Sequence, residues 1–208
     1  MPFRRDQVDS ARVHLQAADP TMCAIITAVG PFTAKTSRDR FLTLIKSLLS
    51  QQISVAAART IQQRLAAAVA SDGITAASLL QFDVDQLRAI GISRQKAGYM
   101  LDLSAKVESG EVLLSKLGRL TNAEVIAELT KVKGIGVWTA QMFLMFSLGR
   151  MDVFPAGDLG IQNAIRKNYP IRGQLTTAKM ERIAKPWSPW LTIASWYLWQ
   201  SLELPGKD

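Results

Sequence analysis

Apolar residues recur at helical spacing along nearly the whole chain, and this periodicity restricts the fold more than any other feature. In the run Phe41–Leu49 the apolar residues lie three and four positions apart, and in the alanine-rich run Val55–Val69 they lie four apart. Such spacing places them on one face of an α-helix. No segment alternates convincingly between apolar and polar residues, and no Asn-Gly pair predicts a hairpin turn. The sequence therefore predicts an all-α fold of about ten short helices.

Start and stop signals divide this pattern into short segments. Asp19 precedes Pro20, Asp83 precedes a periodic run, and Thr121 with Glu124 has the spacing of a capping box. Glycine commonly ends a helix, because it adopts the left-handed conformation of the C-cap without steric strain. Helix ends are accordingly predicted at Gly30-Pro31, Asp72-Gly73, Gly91 and Gly110.

The charge balance favours a polyanionic partner. The 208 residues include 25 Lys and Arg against 17 Asp and Glu, which gives a formal net charge of +8. Nucleic acid is the first partner class that such a balance suits, and an anionic membrane surface is the second. The basic residues are spread along the chain and do not form a tail, which favours a folded basic face over a disordered arm.

Several classes of protein are disfavoured by what the sequence lacks. The single cysteine excludes an intramolecular disulfide and any multi-cysteine zinc or iron–sulfur site, and the one histidine, His14, is expected to be structural. No apolar run approaches the roughly 18 residues of a membrane helix. No apolar stretch follows the N-terminal arginines, as it does in a secretory signal. A cytoplasmic protein is expected, associated with the nucleoid if it is bacterial.

The stretch VKGIGVWTA, Val132–Ala140, places two glycines one residue apart between two helical segments. Gly134 and Gly136 can adopt positive φ and bring the backbone close to a partner. The amides that open the second helix lie at its positive end, where a phosphate binds readily, and Lys131 and Lys133 raise the local potential. A plain corner between two helices is the alternative, and the turn by itself does not decide between them.

Four motifs in a fixed order extend this pattern. The glycine turn and its tryptophan are followed by D-V-F-x-x-x-D-L-x-I, which includes Asp158 at the start of another helical segment. The other three motifs are FLTLIKSLLSQQISVAAA (Phe41–Ala58), LRAIGISRQKAGYMLDLS (Leu87–Ser104) and KPWSPWLTIASWYLW (Lys185–Trp199). Together they resemble the helix-hairpin-helix DNA glycosylase superfamily and, within it, the alkylation-repair branch of DNA-3-methyladenine glycosylases II. The resemblance extends from about residue 38 to residue 200.

The resemblance implies a two-lobed helical fold. A middle lobe would comprise residues 38–140 and end in the hairpin, and the second lobe would be formed by residues 1–37 together with 141–208. The DNA cleft would lie between the lobes. Larger bacterial members carry an additional N-terminal β-rich domain that 208 residues do not accommodate, so the compact form without this domain is expected.

The resemblance also implies the chemistry. Asp158 corresponds to the catalytic aspartate, whose carboxylate stabilises positive charge on the sugar as the bond to the base breaks, and orients or deprotonates a water. The alternative for an aspartate at a helix start is an N-cap, and the two roles are compatible. The branch often has a second acid before this position, where this chain has glycine. Trp138 stands where strand-cleaving members carry a nucleophilic lysine, so the implied enzyme is monofunctional.

Aromatic residues are assigned to the base pocket by the same resemblance. Trp138 would stack on the extruded base and attract a cationic base through its ring face. Trp196 would form a wall of the pocket, with Tyr197 beside it, and Met142 lies one turn after Trp138. For these residues the alternative is a place in the core. Core positions are expected for the other three tryptophans, Trp187, Trp190 and Trp199.

Two further assignments concern contact with DNA. Gln52 matches the intercalating position and would fill the gap left by base flipping, although it is otherwise an ordinary polar residue at a helix end. The phosphate-binding set in the hairpin is Lys133, Gly134, Gly136 and Thr139. The family's hairpin often holds a monovalent cation, Na+ or K+, through the main-chain carbonyls that correspond here to Thr130, Val132 and Ile135. No cofactor is required for the implied reaction.

The implied function is removal of alkylated purines, chiefly 3-methyladenine and 7-methylguanine, from duplex DNA. Base flipping and hydrolysis of the N-glycosidic bond would leave an abasic site. The protein is expected to act as a monomer on double-stranded DNA that contains damaged bases. Two alternatives stay open: a glycosylase of this fold that acts on deaminated or oxidised bases, and a non-catalytic helix-hairpin-helix DNA-binding protein. The presence of Asp158 argues against the second.

Overall fold

The computed structural model describes residues 3–69 and 73–205, and within these ranges it contains helices but no β-strand. The all-α prediction is confirmed. None of the described helices is long and apolar enough to cross a membrane. The α-helices of the described residues are, in chain order, α1 Arg5–Ala18, α2 Pro20–Val29, α3 Arg40–Ser50, α4 Val55–Val69, α5 Ala76–Leu79, α6 Val84–Ala89, α7 Arg94–Glu108, α8 Asn122–Leu129, α9 Val137–Phe146, α10 Leu159–Asn168, α11 Thr177–Ala184 and α12 Leu191–Ser201. Two 3₁₀-helices, Leu114–Arg119 and Lys185–Trp187, complete the set.

The predicted helix starts are confirmed by their capping bonds. The Asp19 carboxylate accepts the amides of Thr21 and Met22 at the start of α2. Asp83 with Gln86 forms a capping box at α6, and Thr121 with Glu124 forms the predicted one at α8. The pKa of Glu124 is lowered, because the Thr121 amide and hydroxyl donate to its carboxylate.

The predicted helix ends are also found. Gly30 is the C-cap of α2 and has a φ of 85°, and Gly91, which follows α6, has a φ of 99°. Both values lie in the region that favours glycine. Asp72 of the predicted Asp72-Gly73 stop lies outside the described residues. The helices outnumber the roughly ten expected, since α5 and α6, of 4 and 6 residues, are too short to show a clear apolar period.

The chain divides into two compact units. The central unit comprises Ser37–Phe143, and the terminal unit comprises Met1–Thr36 together with Leu144–Asp208. The boundaries predicted from the sequence, 37/38 and 140/141, differ from these by one and three residues, since Ser37 and residues 141–143 belong to the central unit. The second boundary lies inside α9, where the helix continues without a break. No glycine, proline or capping residue can therefore mark it in the sequence.

Helix α7 organises the central unit. It packs against α3, α5 and α6, and its side chains Ala97, Met100 and Leu103 are fully buried. On another part of its surface Tyr99 and Asp102 are half-buried. The remaining core of this unit consists of fully buried aliphatic side chains from the surrounding helices, among them Leu44, Ile45, Leu48, Leu49, Leu65, Leu79, Leu87, Val125 and Leu129.

Helix α12 organises the terminal unit. The helix is buried along most of its length, from Thr192 to Leu198, and it packs against α1, α2 and α10. Its residues are apolar or small nearly all round, as in a central helix that neighbours surround. Trp199, near the end of α12, is only half-buried and packs at the edge of this core.

A partly buried polar cluster joins the first and last thirds of the chain within the terminal unit. The Oδ2 atom of Asp19 accepts the Tyr169 hydroxyl at 2.9 Å and the Trp187 indole at 2.8 Å. Burial and the neighbouring carboxylate raise the pKa of Tyr169, so its phenol stays protonated and able to donate. Trp187 is fully buried, which confirms its expected place in the core.

Candidate functional site

The glycine turn joins α8 to α9 in the central unit. Its two apolar residues, Val132 and Ile135, are buried and anchor the turn, while Gly136 and Val137 are exposed. The Ile135 amide donates to the Val132 carbonyl at 3.1 Å, and α9 then begins with the Ala140 amide on the Gly136 carbonyl. The amides of the first turn of a helix have no acceptor within that helix. The exposed turn therefore places the positive end of α9 at the protein surface.

Two residues of helix α7, Tyr99 and Asp102, contact this turn. The Lys133 amide donates to Oδ2 of Asp102 at 2.9 Å. The Tyr99 ring lies so close to Gly134 that a Cβ added there would come within 2.1 Å of the ring carbon Cδ2. Gly134 also has a φ of 81°. Only glycine fits this position, because any side chain meets both a steric clash and an unfavourable backbone conformation.

The loop between α3 and α4 is bonded to the same turn. The Gln51 side-chain amide donates to the Gly134 carbonyl at 3.0 Å, so the residue beside Gln52 is fixed to the hairpin. Gln52 itself is exposed and has a φ of 58°, in the left-handed region that a non-glycine residue rarely adopts. Lys96 from α7 donates to the Leu49 carbonyl at 2.7 Å, and burial lowers the pKa of Lys96.

Gln52 is thus held in an uncommon backbone conformation on a loop braced by two long-range hydrogen bonds. Strain of this kind persists only where the surrounding structure imposes it, and it clusters at functional sites. The structure brings the predicted intercalating residue and the predicted phosphate-binding turn together in one unit. The role of Gln52 in DNA stays a prediction.

The two lysines of the turn differ in their surroundings. Lys131 forms an ion pair with Oε2 of Glu128 at 2.6 Å, which offsets part of its positive charge. Lys133 is exposed and is held by its main chain to Asp102. Of the two, Lys133 therefore has the less compensated charge, and its role in binding a phosphate stays a prediction.

Asp158 lies in the terminal unit at the N-terminus of α10. It is half-buried, and its Oδ1 accepts the Ile161 amide at 2.8 Å, so Asp158 is the N-cap of the helix. The same Oδ1 accepts the indole N–H of Trp199 at 2.8 Å. The main-chain amide of Asp158 donates to the Pro155 carbonyl, which fixes the loop before the helix. The carboxylate is therefore oriented by two donors and lies at the positive end of a helix dipole.

Sequence reasoning missed three residues that contact predicted site residues: Trp199 and Gly160 beside Asp158, and Gln51 beside Gly134. Trp199 was assigned to the core, but its indole reaches Asp158. Gly160 lies against both residues, since a Cβ there would come within 2.9 Å of Trp199 Cδ1 and 3.0 Å of Asp158 Oδ1. A glycine in the first turn after a capping aspartate, where it weakens the helix, was the available signal. For Gln51, which contacts Gly134, no signal distinguished it from Gln52.

The aromatic residues assigned to the base pocket divide into exposed and buried ones. Trp138 exposes 43% of its surface at the start of α9. Trp196 exposes 8%, and its ring packs edge-on against Phe32 and Tyr197 at centroid distances of 4.6 and 4.9 Å. Met142 is half-buried. Of these side chains, Trp138 therefore offers the most ring surface for stacking on a ligand.

The assignment of Tyr197 to the pocket surface is wrong in this structure. Its side chain is fully buried, and its hydroxyl donates to the Gly30 carbonyl at 3.1 Å. Burial raises the pKa of Tyr197, against an opposing effect of the nearby Arg12 guanidinium. A ring with no accessible surface supports the Trp196 ring and cannot contact a base. Helix α12 is apolar nearly all round, so its sequence does not show which of its side chains are exposed and which are buried.

Most of the chain matches a known protein family. Residues 45–189 match the family described as HhH-GPD superfamily base excision DNA repair protein, and this range is more than half of the chain. The chain belongs to the HhH-GPD superfamily. The match includes the α3–α4 loop, the hairpin and Asp158, whereas Trp196, Tyr197 and Trp199 lie after its end at residue 189.

Individual HhH-GPD relatives agree with this placement. DNA-3-methyladenine glycosylase 1 of Schizosaccharomyces pombe is 32% identical over 93% of this chain and 87% of its own length. The Bacillus subtilis protein YfjP is 34% identical over 77% of the chain, but the chain spans only 58% of that relative. A solved structure of the S. pombe 3-methyladenine DNA glycosylase Mag1 in complex with abasic DNA is 31% identical, with a TM-score of 0.82, over 96% of this chain and 99% of that one.

Within the HhH-GPD hairpin, the burial of Thr139 limits how this residue could contact DNA. Thr139 is 3% exposed, so its side chain is not available to a phosphate and a contact would have to come from its main-chain amide. Its assignment to the phosphate-binding set stays a prediction. Thr139 lies on the inner face of α9, whereas Gly136 lies on the exposed turn. An apolar helix gives no sequence signal for which of its positions faces outward.

The cation assigned to the HhH-GPD hairpin depends on the carbonyls of Thr130, Val132 and Ile135. The Val132 carbonyl accepts the Ile135 amide, and a carbonyl oxygen can accept one such bond and still face an ion through its second lone pair. Among residues 3–69 and 73–205 no group of three or more His, Cys, Asp or Glu side chains is arranged to hold a metal. An ion here would have main-chain oxygen ligands, which suit a hard cation. The assignment stays a prediction.

Proposed function

We propose that this HhH-GPD protein is a monofunctional DNA glycosylase that hydrolyses the N-glycosidic bond of alkylated purines in duplex DNA. The observation that carries the proposal is the Asp158 carboxylate, held at a helix N-terminus by two hydrogen bonds to one oxygen. The substrate class is supported by relatives named 3-methyladenine glycosylases, one of which was solved with abasic DNA. 3-Methyladenine and 7-methylguanine are the proposed bases.

The proposed chemistry needs one oriented carboxylate. As the bond between base and sugar breaks, positive charge develops on the sugar ring, and the Asp158 carboxylate stabilises it electrostatically and orients or deprotonates the incoming water. An alkylated purine of this kind already carries positive charge and leaves without strong acid assistance. A single carboxylate therefore suffices where most glycoside hydrolases use two.

Trp138 supports the monofunctional assignment. It has an exposed indole ring where strand-cleaving members of the superfamily carry a lysine, and an indole cannot form a Schiff base with the sugar. The face of the ring attracts cations, so it favours a positively charged alkylated base over a neutral one. The same residue thus accounts for the proposed substrate class and for the absence of lyase chemistry.

The central unit is proposed to bind the DNA. The exposed turn at Gly136 and the charge of Lys133 are suited to a phosphate. Gln52, exposed on the braced loop, would enter the duplex where the damaged nucleotide has left the stack, and its amide can hydrogen-bond the orphaned partner base. A monomer has all of these parts, so no second copy is needed.

Release of free bases tests the proposal. Duplex DNA treated with a methylating agent is incubated with the protein, and the soluble fraction is analysed by chromatography and mass spectrometry. We expect 3-methyladenine and 7-methylguanine in that fraction and abasic sites in the DNA. Release of only deaminated or oxidised bases from duplexes carrying those lesions would transfer the same mechanism to another substrate. Binding without release of any base would favour a non-catalytic DNA-binding protein.

The monofunctional assignment has its own test. Borohydride reduction during turnover traps a covalent complex only if an amine has formed a Schiff base with the sugar. We expect no trapped complex, and we expect strand cleavage only after the abasic product is treated with heat or alkali. A trapped complex would contradict the role given to Trp138.

A further inference from the structure

Trp199 makes a contact that helix capping does not require. An N-cap aspartate fulfils its role by accepting an amide of the first turn, and the Ile161 amide already satisfies Asp158 in this way. The Trp199 indole adds a second donor to the same oxygen at 2.8 Å. A carboxylate held by one donor can still turn about its terminal torsion, which is broad and shallow. The Ile161 amide and the Trp199 indole, both on Oδ1, restrict this rotation.

Gly160 shows that the local sequence is adapted to this contact. Glycine within a helix is less favourable than alanine, yet it occurs here in the first turn of α10. A Cβ at this position would come within 2.9 Å of Trp199 Cδ1 and 3.0 Å of both Trp199 Nε1 and Asp158 Oδ1. The absent side chain leaves the space through which the indole reaches the carboxylate.

The indole is itself held in place by its neighbours. Its ring lies 6.1 Å from the Phe146 ring, centroid to centroid, and packs at the edge of the core. At the other end of α10, the Lys167 ammonium donates to the Ser201 carbonyl at 2.8 Å, and the Asn168 amide donates to the Ser201 hydroxyl at 2.9 Å. Helices α10 and α12 are thus joined at both ends of α10, which limits their movement relative to each other.

We propose that Trp199 is a positioning residue for Asp158: its indole N–H holds Oδ1 and so sets the direction in which the carboxylate meets the sugar and the attacking water. Gly160 is the residue that permits this contact. The inference rests on the proposed function, because it assigns Trp199 a part in the same reaction. Preorganised donors of this kind require no reorientation as the transition state forms.

The test separates positioning from packing. Trp199→Phe retains an aromatic ring beside Phe146 but removes the indole donor. Its matched control is Trp190→Phe, which alters a half-buried tryptophan packed against the same core. Single-turnover rate constants for release of 3-methyladenine and Kd values for the duplex are measured for both variants and the wild type, together with their melting temperatures.

We expect Trp199→Phe to lower the single-turnover rate constant by at least about 10-fold, as for loss of a hydrogen bond to a charged group, with Kd changed less than about 2-fold. Trp190→Phe should retain the wild-type rate. Gly160→Ala should lower the rate, because its Cβ would come within 2.9 Å of Trp199 Cδ1 and displace the indole. The gain in helix propensity offsets part of the cost of this clash, so the melting temperature should fall less than the rate. In the Trp199→Phe background Gly160→Ala should have a smaller effect on the rate, since both act through one contact.

A wild-type rate in Trp199→Phe would overturn the inference and leave the proposed function intact. The inference would also be overturned if Trp190→Phe slowed the reaction as much as Trp199→Phe. The same holds if Trp199→Phe lost as much duplex affinity as rate, because either outcome would show that Trp199 acts through packing alone. The indole N–H resonance of Trp199, assigned by its disappearance in Trp199→Phe, provides a readout without turnover. It should lose protection from hydrogen exchange in Asp158→Ala, and unchanged protection would contradict the contact. If the wild type releases no base, the proposed function fails, and the positioning role fails with it.

Discussion

Replacement of Gly134 by alanine is a severe test of the hairpin geometry. At a φ of 81°, the new Cβ would come within 2.1 to 2.5 Å of three carbon atoms of the Tyr99 ring. The ring cannot simply turn aside, because Gln95 donates to its hydroxyl at 2.7 Å and the ring is half-buried on α7. The turn must therefore move away from α7, which breaks or lengthens the bond between the Lys133 amide and Asp102.

The expected free-energy change has two parts. A non-glycine residue in the left-handed region costs roughly 1–2 kcal/mol. Forcing an extra methyl group into a well-packed site costs typically about 1–3 kcal/mol. Together they lower the free energy of unfolding by about 2–5 kcal/mol, which for a chain of this size corresponds to a fall in melting temperature of about 4–20 °C.

Thermal unfolding and duplex binding are the assays, and Gly136→Ala is the control. A Cβ at Gly136 meets no heavy atom within 4 Å, and its φ lies outside the left-handed region. The control should retain the wild-type melting temperature while still weakening DNA binding, because it adds a methyl group where a phosphate is expected. Gly134→Ala should lower both the melting temperature and the affinity for the duplex. An unchanged melting temperature for Gly134→Ala, or an equal fall for Gly136→Ala, would refute the steric reasoning.

Two further substitutions test the hydrogen bond between Gln51 and the hairpin, and the hydrogen bonds that Asp19 accepts in the terminal unit. Gln51→Leu removes the donor to the Gly134 carbonyl, and loss of one net hydrogen bond should weaken duplex binding by about 2- to 10-fold in fluorescence anisotropy. Wild-type affinity would mean that the brace is not needed for binding. Asp19→Ala leaves the Tyr169 hydroxyl and the Trp187 indole without their acceptor, and chemical denaturation should show that the free energy of unfolding falls by about 1–3 kcal/mol. Asp19→Asn, which keeps the cap oxygen, should lose less, and equal losses would contradict this reasoning.

Local chemistry explains which parts of the structure were predictable. Helix starts at Asp19, Asp83 and Thr121 were read from the sequence because a capping bond involves residues two or three positions apart. The position of Asp158 at the start of α10 follows from the same rule. The all-α class follows from a period that repeats in most segments of the chain.

Contacts between distant residues could not be predicted in this way. Trp199 bonds to Asp158 across 41 positions, and Gln51 bonds to Gly134 across 83. Tyr197 was misplaced because α12 is apolar nearly all round, so its period does not show which ring faces the core. In each case the missing information was the tertiary packing of segments that are distant in the sequence.

Excision by Asp158→Asn tests the central claim most directly. Asparagine is nearly isosteric and is a good N-cap, so α10 should persist, but the amide carries no negative charge. With 3-methyladenine in duplex DNA as substrate, the single-turnover rate constant should fall by at least about 100-fold, as for loss of a major electrostatic contribution. The Kd for the duplex should change by less than about 3-fold, a difference under 1 kcal/mol. Full excision by Asp158→Asn would contradict the catalytic assignment.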